Sequence, residues 1–282
     1  MNKKLLNFAS MLLVAVCLCV NFASCGDDDD EKKEEGTEQD NGGNGGKDDV
    51  PIEIFQKSGT ENGYAYVDLG LPSGLKWSTC NVDAANPWES GAYFAWGETT
   101  PKSVYDWSTY LDGRITAYED CGTDKDLLKG VTDIAGTQYD AARVNMGGSW
   151  RMPTVVEQLG LINNCYWEWT DNYDGKGVVG YIGYKVKDAS DKGKKKRNNT
   201  TVTVGTYSLT DAHIFLPAAG CRGMSLDYVG EGGYWSSSLD EPSSIRELEF
   251  PYHACYLRFY SGIVDYYISY RYRGLPVRGV CE

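Results

Sequence analysis

Histidine and positive charge are both scarce in this sequence, and each shortage argues against a class of function. The 282 residues include two histidines, too few for a histidine-rich metal site and few for general-base catalysis. Lysine and arginine number 27 against 40 acidic residues, so the net charge is −13. Because nucleic-acid binding requires basic side chains that neutralise phosphates, we expect no nucleic-acid partner. We also expect no metal site and no cofactor.

Long apolar runs are absent except near the N-terminus, where one follows Lys3 and Lys4. Residues 5–20 carry no charge but are too short a run for a comfortable membrane span, so residues 1–24 are predicted to be a signal peptide. Small residues then precede Cys25, as in the lipobox of bacterial lipoproteins, whose cysteine carries a diacylglycerol group. We therefore predict lipidation of Cys25. The alternative is an ordinary secretory signal that ends beside a cysteine.

The segment that begins at Cys25, residues 25–49, is rich in acidic residues and glycine and has no aromatic residue. Such a composition cannot bury enough apolar surface to fold, which predicts a disordered tether. Its first charges resemble the export signal that sends lipoproteins of Bacteroidota to the outer face of the outer membrane, and a solvated charge run is the alternative. The residues of this predicted signal are Asp27, Asp28, Asp29, Asp30 and Glu31.

All eight tryptophans lie within residues 50–282, which we predict to fold as one domain. Alternating and short apolar segments bounded by turns predict strands in this part of the chain. They cover residues 64–69, 75–80, 92–98, 178–186, 200–207, 214–216, 233–238, 255–260, 263–267 and 277–281. The basic residues 192–199 are expected to form a solvated loop between two of these strands.

Two helices are predicted from their end signals. Thr137 can cap a first helix over residues 138–146, which a pair of glycines would end. The second helix begins with a capping box of Thr154 and Glu157 and ends near residue 164. Two helices among many short strands indicate an α+β fold. The core-facing residues of the second helix would be Val155, Leu159 and Ile162.

Six blocks of the folded part carry recognisable motifs in a fixed order. They span residues 66–77, 93–99, 150–154, 215–220, 234–238 and 277–281. Together they resemble the Fibrobacter succinogenes major paralogous domain, which is common in lipoproteins of Bacteroidota. The chain departs from that family's pattern at Gly279, where the family usually has proline.

The resemblance implies a C-type lectin-like domain of the α+β class, because the family is similar to that fold and to formylglycine-generating enzymes. Two helices would pack on twisted, mostly antiparallel short strands with many loops, and the N- and C-terminal strands would pair. Ligand contacts would lie on the long loop region that precedes the last strands, over residues 218–233. The calcium signature of sugar-binding C-type lectins is missing, so calcium dependence is left open.

Six cysteines remain in the folded part, and an even number in an exported domain favours disulfides. They are Cys80, Cys121, Cys165, Cys221, Cys255 and Cys281. We favour a bridge between Cys165 and Cys281, and the other pairings stay open. A cysteine-dependent enzyme of the formylglycine-generating type is the weaker alternative, with Cys255 and His253 on one face of a strand.

Tyrosine and arginine crowd the C-terminal third, and both residue types stack on sugar rings or dominate protein-binding surfaces. Filling the core is the alternative role for each tyrosine. Tyr266 and Tyr267 are neighbours in a predicted strand, so one should face inward and the other outward. The candidate ligand-binding residues are Arg222, Asp227, Tyr228, Tyr266 and Tyr270.

These features together predict a non-enzymatic lipoprotein of the outer membrane, anchored through Cys25 and facing the cell exterior. Its folded domain would bind a glycan, or a surface or host protein. The alternatives are a structural or assembly component of a surface complex and, less favoured, the cysteine-dependent enzyme.

Overall fold

The structure is a computed structural model that describes residues 57–197, 200–240 and 251–282. The chain divides into two units, Met1–Asp49 and Val50–Glu282, and the described residues belong to the second. The predicted signal peptide, Cys25, the acidic export signal and the tether lie outside the described residues. Within the described ranges, no helix has the length and apolar character needed to cross a membrane.

Short strands make up most of the regular structure of the described residues. The strands are β1 (Gly59–Glu61), β2 (Tyr64–Val67), β3 (Lys76–Ser78), β4 (Cys165–Thr170), β5 (Gly180–Lys185), β6 (Lys195–Lys196), β7 (His213–Pro217), β8 (Cys221–Arg222), β9 (Leu226–Asp227), β10 (Gly232–Leu239), β11 (His253–Tyr260), β12 (Ile263–Tyr270) and β13 (Val280–Cys281). The α-helices are α1 (Ala141–Met146) and α2 (Val155–Asn164). Single 3₁₀ turns cover Trp107–Thr109, Tyr118–Asp120, Tyr173–Gly175 and Ala189–Asp191.

Three small sheets and a two-stranded ribbon contain these strands. The first sheet has the order β1-β2-β3-β13, the second β6-β4-β5-β7 and the third β10-β11-β12, while β8 and β9 form the ribbon. The strand pairs are antiparallel apart from β4 with β6, which is parallel. This arrangement confirms the sheet-rich, loop-rich α+β class that the sequence predicts.

The two predicted hairpins form as expected. β2 and β3 pair antiparallel across the turn at residues 71–74, which the Gly74 amide closes onto the carbonyl of Leu71 at 2.9 Å. β11 and β12 pair over their whole length, from Tyr260 opposite Ile263 to His253 opposite Tyr270. Both hairpins were predictable because their alternation and turn residues are local in sequence.

The strands predicted over 92–98 and 200–207 are wrong. The first segment makes an isolated bridge between Phe94 and Leu275, so it pairs with a distant loop rather than with a neighbouring strand. The second is held by side chains in place of a strand ladder: Lys194 Nζ donates to the carbonyl of Thr203 at 2.7 Å, and the Gly205 amide donates to Asp191 at 3.0 Å.

The basic segment at 192–197 is also more engaged than a solvated loop. Lys194 pairs with Asp191 at 3.2 Å, and Lys196 pairs with Glu168 at 2.6 Å. Lys195 Nζ donates to the carbonyl of Val264 at 2.8 Å. The segment is therefore attached to the second sheet, where β6 pairs with β4, and to the third sheet through Val264 of β12.

The second helix begins as its capping box predicts. The Glu157 amide donates to Thr154 Oγ1 at 3.2 Å, and the Thr154 amide donates to Glu157 Oε2 at 2.8 Å. The first helix starts later than predicted, because Asp140 and not Thr137 is its N-cap: Asp140 Oδ1 accepts the Arg143 amide at 2.9 Å. A carboxylate at the N-cap thus satisfies one of the free backbone donors in the first turn of the helix.

The buried face of α2 differs from the predicted one. Gln158, Leu161 and Ile162 are buried, whereas Val155 and Leu159 are only partly buried. Gln158 is inside because its Nε2 donates to the carbonyls of Tyr234 and Trp235 at 3.1 and 3.2 Å. A polar side chain thus joins α2 to β10, which a pattern of apolar residues could not reveal.

Tryptophan fills much of the core. Five indoles are fully buried, and each removes a large apolar surface from water. They are Trp77, Trp96, Trp150, Trp167 and Trp235. All but Trp167 belong to the six sequence blocks. The blocks that carry the family resemblance therefore build the interior of the domain.

Two fully buried arginines connect distant segments of the core. Arg278 Nε donates to Asn81 Oδ1 at 2.8 Å, and its Nη2 donates to the carbonyl of Phe215 at 2.9 Å. Arg271 makes a two-pronged ion pair with Asp126, with N–O distances of 2.8 and 3.0 Å. Burial without such partners would be costly for a guanidinium, so these contacts fix the loops that supply them.

Candidate functional site

A groove lies on the third sheet, where one face of β11 and β12 meets the loop after β9. We call it the sheet groove, and its volume is about 270 Å³. Its lining combines tyrosine rings with charged side chains. Those relevant to ligand binding are Tyr228, Glu231, Tyr256, Arg258, Tyr267 and Arg273.

Strand pairing brings the central side chains of the groove onto one face of the sheet. Tyr256 of β11 lies opposite Tyr267 of β12, and Arg258 follows two residues along β11 on the same face. Gly233 of β10 lies opposite Arg258. A Cβ at Gly233 would come within 2.8 Å of Leu275 Cδ2, so glycine leaves this part of the groove shallow and open.

Arg258 stacks on a tyrosine but has no polar partner among the described residues. Its guanidinium carbon lies 4.1 Å from the ring centre of Tyr267 and 5.8 Å from that of Tyr260. Its Nε is buried and donates to no oxygen or nitrogen atom in the described part of the chain. The ring stabilises the cation through its π face but gives Nε no acceptor.

Arg273 occupies the opposite side of the groove. Its guanidinium carbon lies 5.6 Å from the ring of Tyr228, and its Nη1 donates to Cys221 Sγ at 3.3 Å. Burial raises the pKa of the Cys221 thiol, although the Arg273 charge works in the other direction. The sulfur is therefore a neutral, weak acceptor for Arg273.

The candidate ligand-binding residues are only partly brought together. Tyr228 and Tyr270 line the sheet groove, while Tyr266 lines another groove, of about 440 Å³, beside α2. Arg222 and Asp227 belong to the β8–β9 ribbon and do not line the sheet groove. The guanidinium carbon of Arg222 lies 4.8 Å from the ring of Tyr93, and Asp227 Oδ1 accepts a hydrogen bond from Ser225 Oγ at 3.1 Å.

Tyr266 and Tyr267 do point to opposite faces of β12, but the predicted split into one inward and one outward ring is wrong. Tyr266 is 44% exposed and Tyr267 is 50% exposed. Both faces of this end of the sheet carry a groove, so each ring stays accessible to solvent.

The sequence analysis named none of Arg258, Arg273, Tyr256 and Glu231 as candidate ligand-binding residues, although Glu231 lies in the region 218–233 to which the resemblance assigns ligand contacts. A signal for two of them was present in the alternation of Tyr256 and Arg258 along one predicted strand. Arg273 and Glu231 lie in loops, and their approach to the groove depends on tertiary structure that no local pattern encodes.

The cysteines of the described residues form no disulfide bond in the structure, and their pairing remains a prediction. Burial raises the pKa of Cys121 and of Cys165 to about 12, and that of Cys281 to about 11. Thiols in such surroundings are poor nucleophiles at neutral pH, because the thiolate is the reactive form.

The alternative Cys255 and His253 pair is divided between two surfaces. His253 lines the sheet groove, whereas Cys255 lines the groove beside α2. In the part of the chain that the structure describes, no group of three or more His, Cys, Asp or Glu residues could hold a metal ion.

Comparison of the chain with family models, with curated proteins and with solved structures finds no match in any of the three. The resemblance carried by the six sequence blocks therefore remains a prediction. What the structure adds is the position of those blocks in the core, and of a sheet groove whose charged and tyrosine side chains lie outside them.

Proposed function

We propose that this chain is a non-enzymatic lipoprotein of the outer membrane whose folded domain binds a glycan or protein ligand at the cell surface. The observation that carries the proposal is the sheet groove, with its arginines stacked on half-exposed tyrosines. Tyrosine rings stack on sugars, and tyrosine and arginine dominate protein-binding surfaces. The groove thus has the residue types of a ligand site on an open surface.

The proposal includes a C-type lectin-like fold for residues 50–282. Pairing of β13 with β3 supports it, because this contact joins strands from opposite ends of the domain as the resemblance implies. Two helices and small antiparallel sheets also agree with it. Attachment to the membrane through Cys25 and export directed by residues 27–31 complete the proposal from the sequence side.

A binding array tests the ligand-binding proposal. The full chain, purified in a mild detergent, is applied to an array of glycans and of surface and matrix proteins. We expect retention by at least one class of ligand, with retention reduced by Tyr267→Ala. Arg222→Gln serves as the control, because Arg222 also stacks on a tyrosine but lies outside the sheet groove. If no component of the array retains the chain, the ligand-binding proposal is wrong.

A role as an assembly component of a surface complex is a second candidate, and one exposed apolar segment favours it. Met224 is 86% exposed and Val229 is 78% exposed, in the stretch that links β8 to β10. Apolar side chains grouped at the surface mark protein contacts. Stable co-purification of the chain with a surface complex, lost in Met224→Ser/Val229→Ser, would support this candidate over ligand binding in the groove.

A further inference from the structure

We infer that the sheet groove binds an acidic saccharide, with Arg258 and Arg273 pairing with its carboxylate or sulfate groups. This inference rests on the proposed ligand-binding function and names its ligand class. It starts from the arginines of the domain, which differ in how their donors are satisfied.

The other buried or half-buried arginines have anionic or carbonyl partners within the protein. Arg271 pairs with Asp126 at 2.8 Å, and Arg151 pairs with Glu157 at 2.7 Å. Arg278 donates to several backbone carbonyls and to Asn81. These three arginines thus find hydrogen-bond acceptors inside the fold.

Arg258 is different, because it has no ion pair or hydrogen bond with any described residue and its buried Nε has no acceptor. A buried donor without an acceptor is costly, and native structures keep few of them. The stack on Tyr267 holds the guanidinium plane in place at the groove. The two Nη groups are not among the buried atoms, so they can pair at the groove with a planar carboxylate or a sulfate group.

The charge of the groove agrees with an anionic ligand. Two guanidinium groups, of Arg258 and Arg273, line it against one carboxylate, that of Glu231. The whole chain, by contrast, carries a net charge of −13. A local positive surface on an acidic molecule attracts anions to that place in particular.

Glu231 and the tyrosines favour a saccharide over an acidic peptide. The Glu231 carboxylate can accept hydrogen bonds from hydroxyl groups, which an acidic sugar carries beside its anionic group. Tyr228 is 57% exposed, so its ring is available for stacking on a sugar face. An acidic peptide such as tetraglutamate would match the arginines but carries no hydroxyl groups for Glu231.

Calorimetric titration of the full chain in detergent tests the inference with four probes. They are tetragalacturonate, its neutral methyl ester, a sulfated carrageenan tetrasaccharide and a tetraglutamate peptide. We expect tetragalacturonate or the sulfated sugar to bind and the methyl ester to bind at least about tenfold more weakly. The stronger of the two acidic sugars identifies carboxylate or sulfate as the source of the charge. Added salt should weaken binding, because the pairs are partly exposed.

Variants assign the binding to the groove. Arg258→Gln should weaken acidic-sugar binding by about tenfold or more, and Arg258→Lys should fall between it and the natural chain because lysine keeps the charge but not the fork. Arg222→Gln is the matched control and should leave binding unchanged. Circular dichroism and thermal unfolding of each variant show whether the fold is retained.

Several results would overturn the inference, and they separate it from the proposed function. Equal binding of the methyl ester, insensitive to Arg258→Gln, would leave glycan binding in place but remove the acidic specificity. Tighter binding of tetraglutamate would make the ligand an acidic peptide. Failure of both acidic sugars to bind would also reject the inference, while the array decides independently whether the domain binds any ligand.

Discussion

Arg271 and Asp126 show what a charge pair does in the interior of this domain. Both side chains are 1% exposed. The pair links the segment after β12 to a loop 145 positions earlier in the chain. Burial alone would raise the pKa of Asp126, but the hydrogen bonds and charge of Arg271 outweigh it and lower that pKa. The carboxylate is therefore ionised at neutral pH and depends on its partner.

Replacement of Asp126 by asparagine should destabilise the domain by about 3–5 kcal/mol, because it leaves the Arg271 charge buried without its counter-ion. The measurement is the free energy of unfolding by denaturant. Asp124→Asn is the control, because Asp124 pairs with Lys129 at the exposed surface and should cause no measurable change. A loss no larger for Asp126→Asn than for Asp124→Asn would show that the buried pair contributes nothing.

His213 gives the domain a dependence on mildly acidic pH. It is 3% exposed, its Nε2 lies 2.8 Å from the Tyr173 hydroxyl, and its Nδ1 lies 2.8 Å from the carbonyl of Asp211. Burial lowers the pKa of His213 from its ordinary value near 6.5, so the folded state holds it neutral.

The stability of the domain should therefore fall as pH drops below about 6.5, because the unfolded chain then binds a proton at position 213 that the folded chain rejects. Thermal unfolding at pH 7.5 and pH 5.5 measures this difference. His213→Asn should be less stable at pH 7.5, since Tyr173 loses its acceptor, but should show a smaller decrease between the two pH values. An unchanged decrease in this variant would assign the effect to other groups.

At the level of elements, α2 is the part that sequence signals define best. Its capping box and its end near residue 164 follow from residues within a few positions of each other. α1 was predicted at the right place but with the wrong cap, because Thr137 and Asp140 are both acceptable caps and the backbone decides between them. β4 was missed, although Trp167 and Trp169 alternate with the half-buried Glu168 and Thr170 in its second half.

Glycine offers a clean test of packing within elements. A Cβ on Gly160, in α2, meets no atom within 4 Å, whereas a Cβ on Gly180, in β5, would collide with the carbonyl oxygen of Leu216 and the ring of Phe215. Gly160→Ala should raise the free energy of unfolding by about 0.5–1 kcal/mol, because alanine loses less backbone entropy in a helix.

Gly180→Ala is the matched comparison and should lower the free energy of unfolding, because the second sheet would have to open between β5 and β7. Both variants change the unfolded chain in the same way, so their opposite signs isolate the folded-state contacts. A lower free energy of unfolding for Gly160→Ala would mean that a methyl group at position 160 collides with neighbouring atoms.

At the level of the molecule, the sequence predicted the fold class better than the site. Apolar alternation and end signals report local structure, and enough of them were present to indicate an α+β domain. The sheet groove depends on Arg273 and Glu231 arriving from loops, and on Gly233 leaving space. The resemblance points to the region 218–233, which holds Glu231 and Gly233, but no local pattern brings Arg273 to them, so the groove became visible only once the strands were paired.

The proposed attachment to the membrane depends on Cys25, which precedes the folded domain in the chain. Cys25→Ser should move the protein from the membrane fraction to the soluble fraction, because it removes the thiol that the lipid would modify. Cell fractionation followed by immunoblotting measures the distribution. Cys121→Ser provides the comparison, since Cys121 is buried in the domain and should leave the membrane fraction unchanged. A Cys25→Ser protein that stays with the membrane would reject the lipid anchor.

Residues 277–281 complete the first sheet from the far end of the domain. β13 supplies the last strand of the first sheet, and Arg278 Nη1 donates to the carbonyl of Ser78, 200 positions earlier in the chain. The first sheet cannot be completed until this segment has been synthesised and has paired with β3. For a chain exported from its N-terminal end, as proposed, that delay keeps the domain unfolded and able to pass through a translocation channel. A stop codon before position 277 would then yield a chain that is exported normally and degraded afterwards.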